Sequence, residues 1–75
     1  MVTKQDRADE VFRAIRAQER SVAWVARKAE MRDHVLRSRV RAETDFTAEE
    51  IAKVAKVLGL NLLSLVSDDV SGGQL

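Results

Sequence analysis

The sequence predicts an all-α protein, a compact bundle of five short helices, and three observations carry that expectation. The chain has no proline and only three glycines, so little interrupts helical periodicity. Apolar residues recur at helical spacing in separate runs, with few β-branched stretches among them. Capping residues stand ahead of those runs. At 75 residues, the chain is sized for one small domain with a marginal core. It contains no cysteine, so neither a disulfide nor a thiolate metal site is expected to help. No cofactor is expected, because one histidine and scattered carboxylates give no zinc spacing.

Each element has its own signal. Thr3-Lys4-Gln5-Asp6 resembles a capping box in which Asp replaces the longer Glu or Gln. Behind it, Ala8, Val11, Phe12 and Ile15 share one face, with Arg13, Arg16 and Arg20 on or near the other, which predicts a first helix over about 5–18. Ser21 is a good N-cap, and Val22, Val25, Ala26 and Ala29 form the stripe of a second helix over 22–29. That stripe then loses phase at Arg32 and Asp33 and restarts at Val35, Leu36 and Val40. A phase change without a breaker predicts a tight turn at Glu30-Met31-Arg32, with Met31 tucked inward, and a third helix over 33–41. In "FTAEEI", Thr47 and Glu50 make a full capping box, with Phe46 and Ile51 as its hydrophobic staple. Ile51, Val54, Ala55 and Leu58 continue a fourth helix over 48–58, and Gly59 stands where a left-handed terminator belongs. Asn61 is placed to cap a short fifth helix, with Leu60 and Leu65 as its staple pair. The domain is expected to span 1–66, and 67–75, "SDDVSGGQL", to form a flexible acidic, glycine-containing tail.

Charge is unevenly placed. The net charge is +1, yet Arg13 to Arg41 holds nine bases and three acids, a local balance of +6, against −5 elsewhere. Such a basic middle accompanies a polyanion partner or simply solvates helix faces. No apolar run nears the ~20 residues that cross a bilayer, and Lys4, Asp6 and Arg7 interrupt any signal-peptide pattern. No membrane association is expected, and the location expected is cytoplasmic. No paired-carboxylate or nucleophile–base constellation appears, and so short a chain encloses no pocket. Catalysis and a small-molecule ligand are therefore not expected.

"WVARKAEMRDHVLRSRV" resembles the helix-turn-helix of the Xre/Cro group of phage repressor-like proteins. Ala26 stands at the fifth position of helix 2, Val25 before it, Met31 at the close of the turn, and Leu36 and Val40 at the apolar positions of the recognition helix. The order continues through "RAETDFTAEEIAKVAKVLGLNLLSLV", with a loop, a capped helix ending in "LG" and a short last helix. The resemblance covers roughly 8–66 and implies a lambda repressor-like DNA-binding domain with its helix-turn-helix at about 22–41. Departures are Glu30 for the usual turn glycine, Arg32 for the usual Ser or Thr cap, and Ala42 for the glycine after the recognition helix. Asp33 is expected to take over the missing cap.

The resemblance implies a sequence-specific double-stranded DNA-binding transcriptional regulator, of phage Cro or repressor type, that reads an operator with helix 3. Carried across by position, the base-contacting candidates are Arg32, Asp33, His34, Arg37 and Ser38. Arg37 suits bidentate recognition of guanine. Asp33 suits either a cytosine amino group or a cap, and His34 either a donor role or a neutral surface position. Candidate phosphate contacts are Arg20, Ser21, Arg27, Arg39 and Arg41, some of which must be plain surface charge. Trp24 is expected to be partly buried or to lie on the sugar–phosphate backbone. A homodimer is expected through Leu62, Leu63 and Leu65. The alternative is a protein-interaction module on the same fold, antitoxin or antirepressor-like, using Val22, Leu62 and Leu65 as exposed apolar residues.

Overall fold

The first helix, α1 (Lys4–Ala17), starts where its sequence signal lies. Thr3 accepts from the Asp6 amide, and the Asp6 carboxylate accepts from the Thr3 amide, each at 3.1 Å. The computed structural model describes residues 2–65 and gives, in chain order, α1, α2 (Val22–Lys28), α3 (Asp33–Val40) and α4 (Ala48–Leu58). A single 3-10 turn, Leu62–Ser64, follows them. Among the described residues all regular structure is helical. The expected fifth helix is this one turn, capped as foreseen by Asn61, whose side chain accepts from the Leu63 amide. Val66 and the tail 67–75 lie outside the described residues. The Cα radius of gyration, 11.9 Å, matches a compact chain of this length, for which about 11 Å is expected.

All four α-helices end in the same way. After α1, Glu19 is left-handed and the Arg20 amide donates back to the Ile15 carbonyl at 3.0 Å. After α2, Glu30 is left-handed (φ 59°) and Met31 donates to Ala26 at 2.7 Å. After α3, Ala42 is left-handed (φ 62°) and Glu43 donates to Ser38 at 3.1 Å. After α4, Gly59 (φ 71°) is followed by Leu60 donating to Ala55 at 2.9 Å. These are Schellman closures, which satisfy carbonyls that a helix end otherwise leaves unpaired. Only the last uses glycine.

Helices α1 and α2 each pack against both α3 and α4. Val11, Ile15, Val25, Leu36, Val54 and Leu65 are the largest fully buried side chains. Three ties fix the ends. Arg7 grips Asp45 with two donors, at 2.7 and 3.0 Å, and reaches the Leu65 carbonyl at 3.3 Å. Gln18 donates to the Leu58 carbonyl at 2.6 Å. Arg39 grips Glu50, as described below.

The structure corrects four local expectations. Phe12 is 40% exposed. The buried arc of α1 centres on Val11 and Ile15 and takes in Ala14, which leaves Phe12 at its margin, about 100° of helix rotation from Val11. Leu65 is fully buried rather than exposed, because the last turn folds it into the core beneath the Arg7 clamp. Val22 is half-buried against the same core. Asp33 does not cap α3. The cap position is Arg32, without a side-chain cap bond, and Asp33 is the first helical residue.

Candidate nucleic-acid interface

Leu36 sets the orientation of α3. It is fully buried, with Val35 and Val40 half-buried beside it, so the opposite side of the helix faces solvent. At 3.6 residues per turn, that side carries His34, Arg37, Ser38 and Arg41. His34, Arg37 and Arg41 are exposed, and Ser38 is half-buried. Arg32, at the mouth of the α2–α3 turn, is exposed as well. The fold thus brings together most of the residues singled out from the sequence as base-contacting.

Their partners differ. Arg37 Nε donates to Asp33 at 2.9 Å, and both side chains are about half exposed. An exposed i,i+4 pair of this kind contributes only ~0.3–0.5 kcal/mol, so Arg37 can leave it at small cost. Asp33 therefore serves as the resting partner of Arg37, and its charge also suits the first turn of α3. Ser38 Oγ lies 3.1 Å from Thr44 Oγ1.

Arg39 is placed differently from the other candidate phosphate contacts. It holds Glu50 with two parallel donors, Nε at 2.8 Å and Nη2 at 3.1 Å, and Nη1 also donates to Thr44. Its side chain is 18% exposed and that of Glu50 20%. The Arg39 guanidinium holds the Glu50 carboxyl below its ordinary value, and the same bond raises the guanidinium further above its own. Glu50 also accepts from the Thr47 amide at 2.9 Å in the capping box of α4. Arg39 is thus committed to locking the end of α3 to the start of α4. Sequence reasoning found Glu50 as a cap but missed this pairing, which spans eleven positions and leaves no local pattern.

On α2, Ser21 Oγ accepts from the Trp24 amide at 3.0 Å, which leaves its hydroxyl proton free to donate outward. Arg27 is exposed. Arg20 stacks on Trp24, 4.3 Å from the ring centroid, and Trp24 is half-buried against the core. Beside the α3 stripe, Phe12, Val22 and Val40 line a shallow apolar groove whose rim is Arg37 and Arg41. No described helix is long and apolar enough to cross a membrane. Comparison with protein-family models, with curated proteins and with solved structures finds no match to this chain.

Proposed function

We propose that this chain is a sequence-specific double-stranded DNA-binding transcriptional regulator of the Xre/Cro helix-turn-helix kind, resembling a phage Cro protein or compact repressor. The observation that carries the reading is the solvent-facing stripe of α3. His34, Arg37, Ser38 and Arg41 run along a helix whose other side is anchored by Leu36 and by the Arg39–Glu50 clamp. A B-DNA major groove, ~12 Å wide, admits one such helix. Arg32 and Arg37, near the helix N-terminus, are the proposed readers of base edges, with Asp33, His34 and Ser38 beside them. Arg41, Arg27, Arg20 and the Ser21 hydroxyl are the proposed phosphate contacts. Arg39 drops out of that set, because its donors are engaged with Glu50 and Thr44. Such a regulator acts in the cytoplasm of a bacterium or a phage-infected cell.

A homodimer belongs to this reading. Leu62 and Leu63 are 39% and 64% exposed on the last turn, and a pair of exposed leucines invites self-association. A second reading, a protein-interaction module of antitoxin or antirepressor type, draws on the same two leucines and on exposed Phe12.

Selection from a random duplex pool with the purified protein tests the first reading. It predicts a two-fold-symmetric consensus with half-sites about one helical turn, ~10 bp, apart. No enrichment at low or moderate salt would favour the interaction module instead.

A further inference from the structure

Trp24, the only tryptophan of the chain, lines a second groove. That groove runs between α2 and α4. Ala29 and Val57 form its apolar floor beside the indole, and Lys28, Lys53 and Lys56 stand around it with one acid, Glu30. Its volume is about 550 Å³, within the range of ligand-holding clefts. It shares no lining residue with the groove beside α3.

Charge at this site is arranged unusually. Two cations flank one ring, with the Arg20 guanidinium 4.3 Å and the Lys28 ammonium 5.6 Å from the Trp24 centroid. Among the described residues, neither they nor Lys56 has a carboxylate within ion-pair distance. Lys53 is the exception, shared by Glu49 at 3.6 Å and Glu30 at 3.9 Å. Stacking on the indole face holds Arg20 and Lys28 in place without using up their N–H donors. Cations fixed in this way lose less side-chain freedom when a carboxylate arrives.

We propose that this groove docks an acidic segment of a partner protein, with an apolar side chain over Ala29 and Val57 and carboxylates on Lys28 and Lys56. The apolar floor favours a peptide over a nucleic-acid backbone, because a phosphodiester chain offers nothing to place there. The inference goes beyond DNA reading and does not depend on it. A surface separate from the α3 stripe would let a partner bind while DNA is held.

Trp24 emission reports on the site directly. The probe is a blocked, tryptophan-free peptide of alternating Asp, Glu and Leu, titrated into the full chain at low and moderate salt. The expected result is a saturable change in emission that weakens with salt. In Lys28→Glu/Lys56→Glu, which alters only exposed positions, affinity should fall about tenfold or more while the circular dichroism spectrum is kept, a loss of ~1.4 kcal/mol. The same double variant should bind a basic peptide of matching length instead. Four outcomes overturn the proposal. The first is no emission change at millimolar peptide, and the second is equal affinity in the double variant. In the third, duplex DNA displaces the peptide and the double variant loses affinity for DNA, so that the groove is a backbone contact. In the fourth, a chain ending at Leu65 already has altered emission and gains affinity for the peptide, so that residues 66–75 are the occupant.

Discussion

Glu30 and Ala42 hold backbone conformations that favour glycine, at φ 59° and 62°. For a residue with a Cβ, that conformation costs ~1–2 kcal/mol, part of which glycine gives back through its freer unfolded chain. Glu30→Gly and Ala42→Gly should therefore each raise stability by ~0.5–1 kcal/mol, read as a higher urea midpoint at unchanged slope. Ala42 is the cleaner case, having only a methyl group to lose. Gly59→Ala is the converse. A Cβ there meets nothing within 4 Å, so its expected cost of ~1 kcal/mol is backbone strain alone. A lower midpoint for Ala42→Gly would mean that strain does not set the stability of these turns. Glu19, left-handed at φ 56°, had only an indirect signal, the distance from the end of the Ile15 stripe to the Ser21 cap.

The junction of α3 and α4 rests on one carboxylate with two tasks. Glu50 completes the capping box of α4 and holds Arg39 from α3. Glu50→Gln keeps an acceptor for the Thr47 amide and loses the ion pair, which should cost ~0.5–1 kcal/mol. Glu50→Ala loses both, and ~1–2 kcal/mol is expected in chemical denaturation at neutral pH. Acid should act at the same place. Arg39 and Arg7 hold the Glu50 and Asp45 carboxyls below their ordinary values of 4.5 and 3.8. A depressed carboxyl stabilises the fold fully above its unfolded value and loses that contribution as pH falls through the folded one. Stability should thus be flat above about pH 5 and decline below about pH 4.5. Asp45 contributes less than its bonding suggests, because its side chain is 40% exposed. In Glu50→Gln/Asp45→Asn the acid decline should be shallower, and parallel curves for variant and wild type would show that these pairs do not govern it.

Across the molecule, exposure separates leucines that look alike in sequence. Leu65 is fully buried and Leu63 is 64% exposed. Leu65→Glu should unfold the protein, because it puts an unpaired carboxylate in the core, a change of ~3 kcal/mol or more. Leu63→Glu should leave the unfolding midpoint nearly unchanged and abolish self-association in sedimentation. A wild type that is monomeric at high concentration, with or without DNA, removes the dimer from the account. The sequence made the helices legible because their limits are local. Thr3–Asp6 and Thr47–Glu50 write the starts, the phase change after Ala29 writes the α2–α3 turn, and Gly59 writes the last stop. The exposed stripe of α3 followed from periodicity once Leu36 was taken as its inner face. What periodicity did not contain was set by distant contacts, namely Leu65 drawn under Arg7 and Arg39 withdrawn to Glu50. The central claim is that α3 reads DNA with Arg37 while Arg41, one turn later, holds the backbone. Binding of Arg37→Ala and Arg41→Ala to the selected site and its single-base variants, at several salt concentrations, tests it most directly. Arg37→Ala should cost ~1–3 kcal/mol on the preferred site and relax preference at one base pair. Arg41→Ala should weaken all sequences alike and lower the salt slope by about one unit. Identical, sequence-independent losses for the two variants, or no loss in either, would contradict the account.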